Sequence, residues 1–175
     1  MPLAELLVAL SLLGLVFAAT TPLLQHVVQA FHEGAARVES QQSARLALER
    51  LGHDVRGAGY GGAAFAAVAQ AEPTRLVLQS DLNGDGVIAG TGEVITWRLA
   101  SGVLRRDAGG GAQPVVDGVQ TLRFTYLDAA GAVTTAPAAV SSVRIVLTTR
   151  PARVAGAATA GLLGTFATTV RLRNR

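Results

Sequence analysis

The sequence predicts an α+β protein in which one long N-terminal helix packs its second half on an antiparallel β-sheet head. Three observations carry that prediction: a charge-free run of nineteen residues from Leu6 to Leu24, an apolar periodicity of three and four residues that continues to Val55, and six short alternating stretches after it. At 175 residues the chain is long enough for one domain with a real core and one appendage. It divides into residues 1–24, a membrane-crossing helix; 25–56, an amphipathic helical half packed on the head; and 57–175, the β-rich head.

Composition narrows the function classes. Half of the residues are apolar and 15% are charged, too oily for a disordered chain. There are no cysteines, which removes disulfides, thiol nucleophiles and thiolate metal sites. All fifteen basic residues are arginine, but they are scattered along the chain and the net charge is only +3. A nucleic-acid footprint needs a clustered basic face, so no direct nucleic-acid partner is predicted.

The run from Leu6 to Leu24 reaches the roughly 20 residues that a helix needs to cross a bilayer. A secretory signal would carry a basic flank and a shorter apolar core, whereas Glu5 stands here in front of the run. Orientation follows positive charge, and the first arginine is Arg37, C-terminal to the span. A short basic leader removed before Met1 would resolve that conflict and leave the amine of residue 1 as the cytoplasmic-side charge. A carboxylate near a helix end in lipid costs on the order of 2–3 kcal/mol without a cationic partner. Glu5 is therefore expected either to meet an α-amine, its own or that of a neighbouring helix shifted along the axis, or to sit solvated among headgroups.

The run L-x-E-L-L-V-A-L-S-L-L-G from Leu3 to Gly14, with Glu5, Gly14 and Pro22, resembles the mature N-terminus of type IV pilins and pseudopilins. The resemblance implies cleavage of a precursor by prepilin peptidase, N-methylation of residue 1, and polymerisation with other pilin subunits through this helix. Met1 and Pro2 depart from the Phe and Thr or Ser usual in that family, which bears on the processing point. Met1, Glu5, Gly14 and Pro22 are the assembly residues so implied.

Beyond Pro22, Val27, Phe31, Ala35 and Val38, then Ala44, Leu48, Leu51 and Val55, recur on one helical face, with Arg37, Glu39, Arg45, Glu49 and Arg50 on the others. A helix from Leu3 to Val55 would measure about 80 Å at 1.5 Å per residue. Pro22 lacks an N–H and, with Gly14, marks the weak section, which either kinks or, as the resemblance implies, melts inside a filament. Glycines 57, 59, 61 and 62 in "RLALERLGHDVRGAGYGG" end the helix. Arg56, Ala58, Gly59, Tyr60 and Gly62 are similar to the R-x-A-G-Y-x-G signature of PilW-type minor pilins, as is the closing "TTVRLRNR"; the GspJ-type pseudopilins of type II secretion are close relatives.

In the head, strands are expected at Arg75–Gln79, Val94–Leu99, Val103–Arg106, Thr121–Leu127, Val143–Thr149 and Thr168–Arg173. Ile95, Trp97 and Leu99, then Leu122, Phe124 and Tyr126, then Val143, Ile145 and Leu147 alternate inward, toward the second half of the helix. Turn residues at Ala100–Gly102 and Asp128–Ala132 make the pairing antiparallel. Residues Ala152 to Thr165 carry no period and read as a surface loop.

"SDLNGDGVIAGTGE" places Asp81, Asn83 and Asp85 at alternate positions before Gly86, the first part of an EF-hand-type loop, with Val87 offering a carbonyl and Glu93 one residue beyond the usual last ligand. A structural Ca2+ is one reading of Asp81, Asn83, Asp85, Val87 and Glu93; an Asn-Gly-Asp-Gly turn that needs no ion is the other.

No catalytic apparatus emerges. His26, His32 and His53 lie far apart on the helix, and no nucleophile motif or phosphate loop is present, so an enzyme is not expected. What the resemblance implies is a structural minor pilin, held in inner-membrane lipid with its head in the periplasm, then carried into an extracellular pilus serving adhesion, motility or DNA uptake. A type II secretion pseudopilin and a membrane-tethered calcium- or ligand-binding module are the alternatives.

Overall fold

The computed structural model describes residues 2–62, 65–151 and 163–174. Helix α1 (Pro2–Gly57) is followed by β1 (Val68–Ala71), β2 (Arg75–Gln79), β3 (Val94–Ala100), β4 (Val103–Asp107), β5 (Gln113–Val116), β6 (Val119–Leu127), β7 (Ser142–Thr149) and β8 (Gly164–Arg171). The long helix and the antiparallel head are as expected, and the head divides into a five-stranded sheet β1-β2-β3-β4-β5 and a three-stranded sheet β6-β7-β8.

Leucine and alanine, both strong helix formers, dominate α1 and let it run unbroken through Pro22. Pro22 leaves the carbonyl four residues earlier without its usual donor. Nearby hydroxyls turn back on the same helix: Ser11 Oγ donates to the Val8 carbonyl at 2.8 Å, Thr20 Oγ1 to Val16 at 2.9 Å and Thr21 Oγ1 to Phe17 at 2.7 Å. Polar groups satisfied within the helix are what an apolar surrounding demands.

Packing on the head begins later than the periodicity suggests. Ala44, Ala47, Leu48, Leu51 and Val55 are buried, but Val27, Phe31 and Val38 are 59%, 73% and 63% exposed. The 25–56 segment expected to lie on the head is thus buried only over its last turns; above them Ser40 Oγ meets Thr149 Oγ1 at 3.2 Å, and Ala36 and Glu39 border a cleft against Val115, Asp117 and Arg150. Residues 25–39 form a stalk whose apolar stripe this one chain leaves open.

One core joins both sheets to the helix. Leu76, Leu78, Trp97 and Leu104 of the first sheet meet Leu122, Phe124, Tyr126, Val143, Ile145 and Leu147 of the second around Leu51 and Val55. Five expected strands stand within a residue or two of their predicted bounds, and β3 and β4 are joined by the two-residue turn Ser101–Gly102. The last strand is displaced: β8 runs from Gly164 to Arg171 rather than 168–173, pairing with the whole of β7 from Thr149↔Gly164 to Ser142↔Arg171. Its small residues carry little hydrophobic pattern, so the pairing partner sets its extent. Most of the loop read over Ala152–Thr165, namely 152–162, lies outside the described residues.

Two strands escaped the sequence reading. β1, Val-Ala-Gln-Ala, is too poor in large apolar residues to signal itself. β5 contains Pro114, and it lies at the end of the sheet order, where a missing N–H is tolerated.

Candidate functional site

The first 24 residues carry the candidate assembly site. The helix is long and apolar enough to cross a membrane, and none of its most apolar stretch is buried. Leu6, Leu7, Leu10, Leu12, Leu13, Leu15 and Phe17 each expose more than half of their surface. Water would not tolerate this; lipid or other helices would. Glu5 stands in the first turn beside Ala4, Val8, Ala9 and Leu12. Among the described residues its carboxylate makes no ion pair or hydrogen bond, leaving it available to a cation from outside the described helix. Met1, the proposed processed residue, lies outside the described residues. A side chain at Gly14 would meet nothing within 4 Å, so in the single chain Gly14 is a notch in the helix surface rather than a packing need.

The end of the helix is locked to the head by a group that sequence reading missed. Asp54, 9% exposed, accepts the Trp97 Nε1–H of β3 at 2.8 Å and the Arg106 Nε–H of β4 at 2.8 Å, with Arg106 Nη2 at 3.3 Å from its second oxygen. This is the one salt bridge among the described residues. The signal was an aspartate interrupting the apolar face between Leu51 and Val55, together with the chain's single tryptophan.

The glycine-rich turn after the helix is explained by close approach. A side chain at Gly59 would strike the backbone of Asn174, and one at Gly61 the backbone of Asp81; both residues have positive φ, +81° and +98°. Gly59 N–H donates to the Gln79 carbonyl and Asp81 N–H to the Tyr60 carbonyl, at 2.8 and 2.7 Å. The turn therefore joins the helix end, β2, the acidic loop and the C-terminus. Gly62, which matched the signature by spacing, has open space around it, whereas Gly61 is the crowded position.

In the acidic loop, the carboxylates point at the loop's own N–H groups. Asp81, 2% exposed, accepts from Gly84 N at 2.7 Å and Gly86 N at 2.9 Å with its two oxygens. Asn83 Oδ1 accepts from Asp85 N, and Asp85 Oδ1 from Val87 N. Glu93, also 2% exposed, accepts from Leu82 N, Ala89 N and Gly90 N at 3.2, 3.1 and 2.5 Å. The Val87 carbonyl accepts from Ala89 N at 3.2 Å. Among the described residues no three His, Cys, Asp or Glu side chains are gathered as a metal ion requires.

A third junction ties the sheets together. Tyr126 of β6 donates its hydroxyl toward the Glu72 and Arg75 carbonyls at 2.7 and 3.1 Å, across the turn between β1 and β2. Burial, with the nearby Glu72 charge adding to it, pushes its phenol well above the ordinary tyrosine range.

No family model and no curated protein matches the chain. A solved structure does: a type IV-like pilin from Thermus thermophilus, 16% identical, with a TM-score of 0.53 over 75% of this chain and 94% of that one. At that identity the likeness is one of fold, and it agrees with the exposed apolar helix half and the antiparallel head: this chain has the type IV pilin fold.

Proposed function

We propose that the chain is a structural minor pilin of a type IV pilus, held in the inner membrane with its head in the periplasm and then incorporated into or priming the filament. The observation that carries this reading is a single continuous helix whose first half is apolar and wholly uncovered while its last turns are built into a folded head. Such a rod needs lipid in one state and other rods in another. Glu5 at its start supplies the attraction that converts one state to the other, by pairing with a neighbouring subunit's N-terminal amine once lipid is left behind. The stalk face of Val27, Phe31 and Val38 extends the surface available to neighbouring helices. Before assembly its partners are membrane lipid and the peptidase that processes the precursor; afterwards, other pilin and minor pilin subunits.

The test is Glu5→Gln in the native host. Expected is a protein that remains in the membrane fraction at parental abundance but disappears from sheared surface filaments. Parental incorporation of the variant into filaments would overturn the reading.

A further inference from the structure

The acidic loop between β2 and β3 carries a chemical hazard in its own sequence. Asn83–Gly84 is the chain's one Asn-Gly pair, and Asp85–Gly86 follows it directly. In such pairs the glycine nitrogen attacks the side-chain Cγ of the residue before it and closes a succinimide ring, because glycine has no side chain to hinder the approach and a backbone free to bend. At Asn83 a bond forms from Gly84 N to Cγ and the Cγ–Nδ2 bond breaks, with Nδ2 and the amide proton leaving as ammonia. At Asp85 the group expelled is water. Water then opens the ring at either carbonyl, giving aspartate or isoaspartate. Both products would disturb this loop: a carboxylate at Asn83 loses the Nδ2–H now donated to Asp85 Oδ2 at 2.9 Å, and isoaspartate adds a carbon to the main chain of a tight turn.

The two attacking nitrogens are held by one buried side chain. Gly84 N–H donates to Asp81 Oδ1 at 2.7 Å and Gly86 N–H to Asp81 Oδ2 at 2.9 Å. Attack requires that N–H proton to leave, which would set an amidate against a buried carboxylate at hydrogen-bond distance, two like charges in contact. A carboxylate is itself far too weak a base to take an amide proton. The electrophilic groups are drawn away as well. Asn83 Oδ1 accepts from Asp85 N at 2.9 Å and Asp85 Oδ1 from Val87 N at 2.7 Å, so each side chain reaches past its glycine to the residue beyond.

We propose that Asp81 is a chemical guard: by holding the Gly84 and Gly86 nitrogens with its two oxygens, it suppresses succinimide formation at Asn83 and Asp85. These two residues are thus latent sites of spontaneous deamidation and isomerisation, silent while the Asp81 bonds are made. The proposal rests on this loop alone and is independent of polymerisation. The chain also contains its own reference, Asp117–Gly118, an exposed Asp-Gly pair outside the loop, with no carboxylate among the described residues on its amide.

The test incubates the full chain in neutral detergent and mildly alkaline heavy-oxygen water, where each ring opening takes up one labelled oxygen. Cleavage at arginine in ordinary water then puts Asn83 and Asp85 on the peptide 76–98 and Asp117 on 107–123, and fragment mass spectra locate the label. Expected is labelling at Asn83 and Asp85 at least about tenfold slower in the folded parent than in the parent unfolded in urea. Asp81→Ala should recover most of that factor at both positions and leave the rate at Asp117 unchanged. Glu93→Ala frees the N–H groups of Leu82, Ala89 and Gly90 but keeps the Asp81 bonds, so it should speed proteolysis of the loop more than labelling. Equal labelling in the folded and unfolded parent would overturn the proposal. Equal labelling of Asp81→Ala and Glu93→Ala would overturn it in favour of loop order as a whole. An acceleration at Asp117 matching that at Asp85 in Asp81→Ala would overturn it in favour of the global fold.

Discussion

The carboxylate of Asp54 holds the indole N–H of Trp97 at 2.8 Å, fastening the last turns of the long helix to the centre of the five-stranded sheet. Arg106 closes the same carboxylate from the next strand at 2.8 Å. Removing Asp54 would leave a buried indole donor and a guanidinium that is 19% exposed, both without their acceptor. Asp54→Ala is expected to cost on the order of 2–4 kcal/mol, below the upper range for a fully buried pair because Arg106 reaches water. Thermal melting of the detergent-solubilised chain checks this. An unchanged midpoint would show that the helix is held by apolar packing alone.

Gly61 and Asp81 approach so closely that any side chain at position 61 falls on the Asp81 backbone. Gly61→Ala must also adopt a backbone conformation with φ near +98°, which L-residues disfavour. We expect a loss of about 2–4 kcal/mol from strain and collision together. Gly62→Ala, at a φ of +143°, carries backbone strain as well but meets nothing within 4 Å, so it should cost less by the collision alone. Equal midpoints for the two variants would remove close approach as the reason for the crowded glycine.

Which parts could be read beforehand follows from what is local. The bounds of β2 and the turn at Ser101–Gly102 are written in consecutive residues, and so is the apolar run behind Glu5. Alternation also tells that Trp97 and Arg98 face opposite ways. Register is not local: nothing in the sequence places Arg75, Arg98 and Arg105 on one line, or Asp54 beneath Trp97. The exposure of Val27, Phe31 and Val38 is not legible either, because periodicity reports a face that wants covering without saying whether this chain or another covers it.

Tyr126 gives the head an alkaline limit. Burial of its phenol, and next to it the nearby Glu72 charge, disfavour the phenolate and raise its pKa in the folded state. A raised pKa contributes stability that is fully present below the unfolded value, about 10, and is lost as pH rises through the folded value. The parent should therefore melt at progressively lower temperature above about pH 10. Tyr126→Phe loses the bonds and about 1–2 kcal/mol at neutral pH, but its melting temperature should depend less on pH in the alkaline range. Parallel alkaline curves for the two proteins would show that another group sets the limit.

Glu93 fills the acidic loop from within, accepting the N–H groups of Leu82, Ala89 and Gly90. Three donors on one buried carboxylate tie the segment between β2 and β3 to Glu93. Glu93→Ala orphans all three donors and is expected to open the loop, so that limited proteolysis cuts within residues 82–92 at rates about tenfold or more above the parent. Chelation of divalent ions should leave the parent's cleavage pattern unchanged, since Asp81 and Glu93 are already satisfied by backbone N–H groups. A loop that is protected only when calcium is added would assign its order to the ion, and would return Asp81, Asn83, Asp85, the Val87 carbonyl and Glu93 to the role of ligands.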